Sequence, residues 1–236
     1  YNKLIIPFLI PFLFFMAIGP NLKWIKSDIT NKKNMIIFLV ISFLISILVI
    51  RNFEIEYLIY TILLTSAFYL FFITTRDFIK KKANNLPQNL AHFGFSLLML
   101  SILLNNIFSS EVITNLKVGD TFKSEKFRIN FININQEQEQ NFKAIRGKIS
   151  VKGPNGVVEF FYPELRIYNQ PNIVTSEADI KTNLFTDKFI TMNSVQNQEY
   201  FNIRYQNKPL MIWIWISTLI ISLGGFFSLV KKKNEN

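Results

Sequence analysis

The sequence predicts a membrane protein with about five transmembrane α-helices and one β-rich extracytoplasmic domain. Half of the 236 residues are hydrophobic, and 25 residues are Phe. The apolar residues fall into five blocks along the chain, which is typical of an integral membrane protein. The long segment between the fourth and fifth blocks shows apolar and polar residues in alternation, which is typical of β-strands.

The first four apolar blocks predict four transmembrane helices within residues 1–108. The predicted spans are about 4–20, 35–50, 57–75 and 89–108. Pro7 and Pro11 lie inside the first block, and because proline interrupts helical hydrogen bonding we expect a kink there. The first two blocks are short for a bilayer of about 30 Å. We expect them to extend into their flanks, with re-entrant segments as the alternative.

Residues 109–208 form the predicted β-rich domain. Phe127, Ile129 and Phe131 alternate with polar residues, as in a strand with one buried face. Gly153-Pro-Asn-Gly156 separates two apolar runs and indicates a hairpin turn. We expect a compact sandwich or a partly open barrel, followed by a last transmembrane helix over 209–230 and a basic cytoplasmic tail over 231–236.

The distribution of Lys and Arg predicts the orientation in the membrane. Basic residues gather after the first span, after the third span and in the tail, at Lys23, Lys26, Lys32, Lys33, Arg76, Lys80, Lys81, Lys82, Lys231, Lys232 and Lys233. Cytoplasmic loops carry an excess of Lys and Arg, so these segments are expected in the cytoplasm and residues 109–208 outside it. The net charge of +10 therefore reflects short basic loops, and nucleic acid is not an expected partner.

Several classes of function find no support in the sequence. Cysteine is absent, which excludes disulfides and thiolate metal sites on this chain. Gly153-Pro-Asn-Gly156 is not a phosphate loop, because no Gly-Lys-Ser/Thr follows it. Glu164 and Glu177 have no spacing that supports catalysis. The chain begins at Tyr1 without a signal-peptide pattern, so we expect the C-terminal part of a longer protein.

His92 is the single histidine of the chain and lies in an uncharged apolar stretch. An ionisable side chain in hydrocarbon is costly and usually functional, and imidazole is a common ligand of haem iron. The helix face of His92 continues through Phe95, Ser96 and Met99. Gly94 beside it would let a flat ring or another helix approach closely. From the residues alone, an iron ligand and a buried histidine hydrogen-bonded to a neighbouring helix both stay open.

Two features of the last span also have alternative interpretations. Trp213 and Trp215 lie at its outer start, where tryptophan commonly anchors a helix in the membrane interface. The functional alternative is a platform for a haem or for a partner protein. Gly224 and Gly225 lie near the inner end and favour close helix packing.

Several motifs, taken in order, resemble the C-terminal half of the CcmF family of cytochrome c-type biogenesis proteins. The resemblance covers nearly the whole chain. The motifs are the Pro-rich span from Pro7 to Pro20, Ala91-His-Phe-Gly94, Ala144-Ile-Arg-Gly147, Pro163-Glu-Leu-Arg-Ile-Tyr168, Thr175-Ser-Glu-Ala-Asp-Ile180, Lys208-Pro209, Trp213-Ile-Trp215 and Leu223-Gly-Gly225. Each motif is weak alone, and their shared order and spacing carry the resemblance.

The resemblance implies a part in a haem lyase complex that attaches haem to apocytochrome c. In that family the protein receives haem from the chaperone CcmE and works with CcmH. It also holds an intramembrane b haem between two histidines, and His92 falls on one of these axial ligands. Membership would place the chain in a bacterial inner membrane, or in a mitochondrial inner membrane if the chain is organelle-encoded.

The resemblance also implies what this part of the family's sequence lacks. The tryptophan-rich segment that faces the substrate haem, its two histidines and the second intramembrane ligand are expected in the N-terminal half, fused or separate. No catalytic residue is therefore expected here. Met16 and Met99 are other residues able to ligate iron, but Met99 shares a helix with His92 and cannot reach the opposite face of one haem.

One function of another class fits the same sequence. The chain would then be a non-enzymatic membrane scaffold or permease subunit, surrounded by lipid, that presents an outer recognition domain. His92 would be a packing or proton-relay residue in that case. A visible spectrum of the purified complex distinguishes the two functions.

Overall fold

The computed structural model describes residues 2–19, 29–51, 57–80, 86–124, 127–153, 155–195 and 199–235. The chain divides into two compact units, one formed by Tyr1–Ile107 with Leu210–Asn236 and the other by Phe108–Pro209. Some residues used to predict orientation, namely Lys23, Lys26, Lys81 and Lys82, lie outside the described residues.

The first unit consists of apolar helices. Their bounds are α1 Asn2–Ile18, α2 Ile29–Ile50, α3 Tyr57–Lys80, α4 Leu86–Phe108 and α5 Met211–Glu235. Within the described residues, four helices, α2 to α5, are long and apolar enough to cross a membrane, whereas the apolar part of α1 covers Leu4–Ile18. The predicted fold class of about five apolar helices with a β-rich domain is confirmed, with α1 short for a full span.

Several helices are longer than the apolar runs that predict them. α2 begins at Ile29 and not at 35, α3 ends at Lys80 and not at 75, and α5 continues to Glu235 through the predicted tail. The added turns are mainly polar or charged. Such residues form helices readily in water or at a membrane surface, but they carry no hydrophobic signal. Arg76, counted as a loop residue in predicting orientation, thus lies inside α3.

The core of the helical unit forms where α1 packs on α3. Leu13 and Ala17 of α1 are fully buried, as are Ala67 and Leu70 of α3. Pro7 and Pro11 both lie within α1. Hydroxyl groups on the helices donate hydrogen bonds to carbonyl oxygens of the preceding turn in Ser42, Ser46, Thr65, Thr75 and Ser217. Such bonds satisfy polar groups inside an apolar environment.

Glycines bring α4 and α5 into close contact. A Cβ atom on Gly94 would lie 2.8 Å from Cγ1 of Ile221. A Cβ atom on Gly224 would lie 2.8 Å from the backbone nitrogen of Ala91 and 2.9 Å from the carbonyl oxygen of Pro87. Gly225, by contrast, has no atom within 4 Å of such a Cβ. Gly224 therefore permits backbone contact between two helices, while Gly225 faces open space.

Gly224→Ala should destabilise the helical unit by about 1–3 kcal/mol, because the added methyl group meets backbone atoms that cannot rotate away. Gly225→Ala should be neutral or stabilising by up to about 1 kcal/mol, since alanine favours a helix over glycine. Thermal unfolding of the full chain in detergent, followed by the helical circular dichroism signal, measures both. Equal melting temperatures for the two variants would contradict the close α4–α5 contact.

The second unit is a sandwich of two antiparallel sheets. The strands are β1 Ser110–Leu116, β2 Thr121–Lys123, β3 Arg128–Gln138, β4 Phe142–Lys152, β5 Val158–Phe161, β6 Glu164–Tyr168, β7 Val174–Glu177, β8 Asp179–Thr182, β9 Thr186–Ser194 and β10 Phe201–Pro209. One sheet has the order β1-β10-β9-β8, and the other has the order β2-β3-β4-β6-β7 with β5 also paired to β4.

The core of the sandwich contains the alternating residues that predicted its strands. Ile129 and Phe131 are buried, and the ring of Phe127 lies 5.0 Å from that of Tyr205. Gly147 leaves room for the opposite sheet, because a Cβ there would lie 2.9 Å from the sulfur of Met192.

An ion-pair cluster lies on β4 and β6. The carboxylate of Glu164 accepts hydrogen bonds from Arg146 Nε at 2.8 Å and from Arg166 Nε at 3.0 Å. The Glu164 side chain is only 15% exposed. Burial by itself raises the pKa of Glu164, but the hydrogen bonds from Arg146 and Arg166 outweigh that effect and hold the pKa below its usual value.

Glu164→Gln should lower the stability of the sandwich by about 1–3 kcal/mol at neutral pH, because two charge-assisted hydrogen bonds weaken. A carboxyl group whose pKa is lowered by folding contributes stability above the unfolded pKa of about 4.3, and this contribution is lost as the pH falls through the folded pKa. The difference between wild type and variant should therefore vanish in acid. Amide hydrogen exchange of β4 and β6 in the full chain, corrected for intrinsic rates across pH, measures it.

Glu111→Gln provides the matched control for Glu164→Gln. Glu111 pairs with Arg204 at 2.6 Å, but both side chains are more than a third exposed. Exposed pairs contribute little, so exchange should barely change in this variant. An effect of Glu164→Gln that persists unchanged in acid would show that packing, and not the charge of Glu164, is responsible.

Candidate functional site

His92 lies on α4 with its ring partly buried. The helix begins at Leu86, three residues before the predicted start at Asn89, and Pro87 occupies its first turn, where a missing N–H costs least. At about 1.5 Å per residue, His92 lies roughly 9 Å along the helix from Leu86. This depth is nearly two turns, compared with the single turn that the predicted start implies.

Contacts between α3 and α4 fix the surroundings of His92 on one side. The hydroxyl oxygens of Thr74 and Ser96 lie 2.7 Å apart, within hydrogen-bond distance in a buried setting. The ring of Phe93 stacks on that of Phe78, with centroids 5.4 Å apart. These two contacts set the antiparallel alignment of the helices, so the C-terminal end of α3 lies beside the segment of α4 that carries His92.

The remaining sides of this α4 segment face α5 and α1. Ala91, directly before His92, contacts Gly224 of α5 through its backbone. Phe95, one turn after His92, meets the ring of Phe12 edge-on at 6.1 Å. His92 therefore lies on a helix packed by three others. Its predicted face, through Phe95 and Met99, turns toward the core that α1 and α3 share.

A charged pair near His92 was not singled out by sequence reasoning. Arg76 and Asp77 form an ion pair of 2.8 Å, with side chains only 9% and 13% exposed. Phe78, directly after Asp77, stacks on Phe93, directly after His92, so the ion pair lies in the same region of α3 and α4 as His92. The available signal was an Arg-Asp pair directly after an apolar run, which is the pattern of a loop as much as that of a helix end.

One ring nitrogen of His92 lacks a hydrogen-bond partner. Its Nδ1 atom is buried and has no hydrogen-bond partner within the described part of the chain. A buried polar atom without a partner costs free energy, so it calls for an explanation such as a missing partner or ligand. An imidazole in apolar surroundings fits one axial ligand of a haem, in which one ring nitrogen binds iron and the other donates a hydrogen bond to a further partner.

A second iron ligand is not evident in the residues described. They contain no group of three or more His, Asp or Glu side chains able to hold a metal ion. Met16 and Met99 both pack in the apolar core of the helical unit. A haem ligand at His92 thus stays a prediction, and a second ligand for the same iron is not evident among the described residues.

Contacts within the fold account for the other residues that the sequence analysis considered. Glu164 and Glu177 do meet as direct cross-strand neighbours on β6 and β7. The carboxylate of Glu164 accepts hydrogen bonds from two arginines, so Glu164 and Glu177 do not form a pair available for acid–base catalysis. Trp215 is 64% exposed on α5, which is consistent with an interfacial anchor as well as with a platform.

The motifs of the β-rich domain occupy neighbouring positions in the sandwich. Arg146 on β4 pairs with Glu164 on β6, and Glu164 pairs with Glu177 on β7. Asp179, the first residue of β8, accepts a hydrogen bond of 2.7 Å from the backbone N–H of Tyr162. The hydroxyl of Ser176 donates to the carbonyl oxygen of Met192 on the other sheet at 2.8 Å. These motifs thus connect β4, β6 and β7 within one sheet and link β7 to β9 of the other sheet.

The sandwich matches a known family model, the CcmF C-terminal beta-sandwich, over residues 107–209. Relatives extend the similarity to the helices. The cytochrome c-type biogenesis protein CcmF of Escherichia coli is 22% identical over 238 residues, which cover 97% of this chain and 37% of that protein. The cytochrome c-type biogenesis protein ccl1 of Rhodobacter capsulatus is 27% identical over 143 residues, which cover 61% of this chain and 22% of that protein.

A solved structure, the cytochrome c heme lyase CcmF, has the same fold. It superimposes with a TM-score of 0.71 at 17% identity, over 96% of this chain and 39% of that one. The chain thus spans less than two fifths of the length of the two proteins that match nearly all of it. The similarity includes the helices as well as the sandwich, and it confirms the resemblance of this chain to the C-terminal part of CcmF.

Proposed function

We propose that the chain acts in cytochrome c biogenesis, as the CcmF-like part of a haem lyase complex that attaches haem to apocytochrome c. Similarity to proteins of that role along both the helices and the sandwich supports the proposal. The observation that carries it within the structure is the buried Nδ1 of His92, which has no partner among the described residues.

His92 is proposed as one axial ligand of an intramembrane b haem. Phe93 and Phe95 lie next to it on α4 and pack on Phe78 of α3 and Phe12 of α1. The Arg76–Asp77 ion pair lies in the same region of α3 and α4, and groups around a metal ligand orient and tune it. When bound, the haem iron would supply one-electron chemistry, whose proposed use is to keep the incoming haem reduced.

The resemblance to CcmF supports the proposed partners. A second axial ligand and the segment that faces the substrate haem are assigned to the N-terminal half of CcmF, fused or separate. CcmE would deliver haem, and CcmH would act with the complex on apocytochrome c. The proposed location is a bacterial inner membrane, or a mitochondrial one for an organelle-encoded chain, with the sandwich outside the cytoplasm.

His92→Ala should abolish the Soret and α bands of the b haem in the complex with the N-terminal half, because one of two axial ligands is lost. Met99→Leu is the matched control. It conserves volume on the same helix face, so the bands should be unchanged. Visible spectra with and without dithionite measure both, and size-exclusion elution reports whether each complex is intact. Full haem occupancy with an unchanged potential in His92→Ala would refute the ligand assignment.

A cytoplasmically active reporter fused after Gln140 should be silent, because the sandwich is proposed to lie outside the cytoplasm. Gln140 is an exposed residue in the turn between β3 and β4, so insertion there leaves the strands intact. The same reporter fused after Asn236 should be active, since the basic end of α5 is expected inside. The reverse pattern would overturn the orientation.

The alternative is a membrane scaffold or permease subunit in which His92 relays protons. The Arg76–Asp77 ion pair in the same region of α3 and α4 supports this alternative over a packing role. In that case the purified complex would show no haem spectrum, and Asp77→Asn would alter transport without any spectral change.

A further inference from the structure

Three basic residues lie directly opposite one another at one end of the sandwich. Lys123 on β2 pairs with Arg128 on β3, and Arg128 pairs with Lys152 on β4. Residues opposite each other in antiparallel strands project from the same face, with Cβ atoms about 4.5–5.5 Å apart. All three side chains are exposed. We call Lys123, Arg128 and Lys152 the basic row.

The basic row has no ionic partner within the described residues. Other cations of the sandwich do have one: Lys117 with Glu199, Arg146 and Arg166 with Glu164, Lys188 with Glu159, and Arg204 with Glu111. Glu125 and Lys126, in the turn between β2 and β3, lie outside the described residues. Like charges directly opposite one another destabilise a sheet, so an anionic partner would relieve the repulsion.

The basic row lies at the end of the sandwich where the chain continues into the helices. Pro209, the last residue of β10, pairs with Thr186 on β9, and α5 begins two residues later. Lys188, two residues along β9, binds Glu159 on β5 at 2.6 Å. Glu159 pairs with Val151, the neighbour of Lys152. The basic row thus lies at the same end of the sandwich as Pro209, where the last strand ends.

The same end of the sandwich carries an exposed apolar turn. Leu184 and Phe185, between β8 and β9, are 58% and 72% exposed. The side-chain oxygen of Asn183 accepts hydrogen bonds of 2.9 Å from the backbone N–H groups of Phe185 and Thr186, which holds the turn in shape. Val158, opposite Lys152 on β5, is also exposed. Apolar tips beside cations are typical of surfaces that bind a lipid interface.

We propose that this end of the sandwich binds the anionic phospholipid headgroups of the membrane, with the basic row on the phosphates and Phe185 among the upper acyl chains. The unpaired charges supply the complementarity. The chain that leaves this end of the sandwich at Pro209 continues into α5, a helix apolar and long enough to cross a membrane. This surface is separate from His92 and does not depend on haem ligation.

The natural absence of cysteine allows a direct test. Val158→Cys and Gln140→Cys each place one fluorophore on the full chain, at the end with the basic row and at the opposite end of β3 and β4. In vesicles containing phosphatidylglycerol and a lipid with a headgroup nitroxide, the label at position 158 should be quenched and the label at 140 should not. Replacing phosphatidylglycerol by phosphatidylcholine, or adding 0.5 M salt, should reduce the quenching, since exposed charges are screened.

Lys123→Gln, Arg128→Gln and Lys152→Gln together should shift the label at 158 toward the unquenched state, by roughly fivefold per charge in the equilibrium. Lys143→Gln, at the far end of β4, is the matched control and should change nothing. Equal quenching of the labels at 158 and 140 would overturn the proposal. Quenching that is independent of lipid charge and of the triple substitution would also overturn it, and an acidic protein surface would then be the expected partner.

Discussion

Satisfaction of polar groups in apolar surroundings is the constraint on which the helical unit depends. An unpaired donor or acceptor in hydrocarbon costs several kcal/mol, so the hydroxyl groups of the helices bond to their own backbones or to one another. Thr74 and Ser96 meet this requirement across two helices, and their contact aligns α3 with α4. The Nδ1 of His92 departs from the rule within the same region. That departure is the structural observation that supports the proposed ligand role of His92 over a role in packing alone.

The sandwich meets the same requirement with charges. The Glu164 carboxylate lies beside Glu177, a like charge, yet it remains ionised because Arg146 and Arg166 surround it. Each partner comes from a different stretch of sequence, so the cluster forms only when β4, β6 and β7 are correctly paired. The short motifs of this domain therefore specify strand register.

Much of the architecture could be predicted from sequence, because hydrophobicity and strand alternation are local properties. The apolar blocks predicted the helices, and Ile129 with Phe131 predicted a buried strand face. Strand order and the position of Arg76 and Asp77 could not be predicted, since these depend on which distant segments meet. His92 was identifiable because it is unique. The unpartnered Nδ1 of His92 could not be predicted, because it depends on the absence of a hydrogen-bond partner on the described parts of the helices around it.

The first and last strands of the sandwich are neighbours in one sheet. Ser110 at the start of β1 pairs with Asn207 near the end of β10, so the chain enters and leaves through adjacent strands about 5 Å apart. The helices on either side, α4 and α5, already touch through Gly94 and Gly224. In architectural terms the sandwich is an insertion into a helical hairpin. Because both connections leave from adjacent strands, the sandwich is a single module that a short linker from Ile107 to Leu210 would replace.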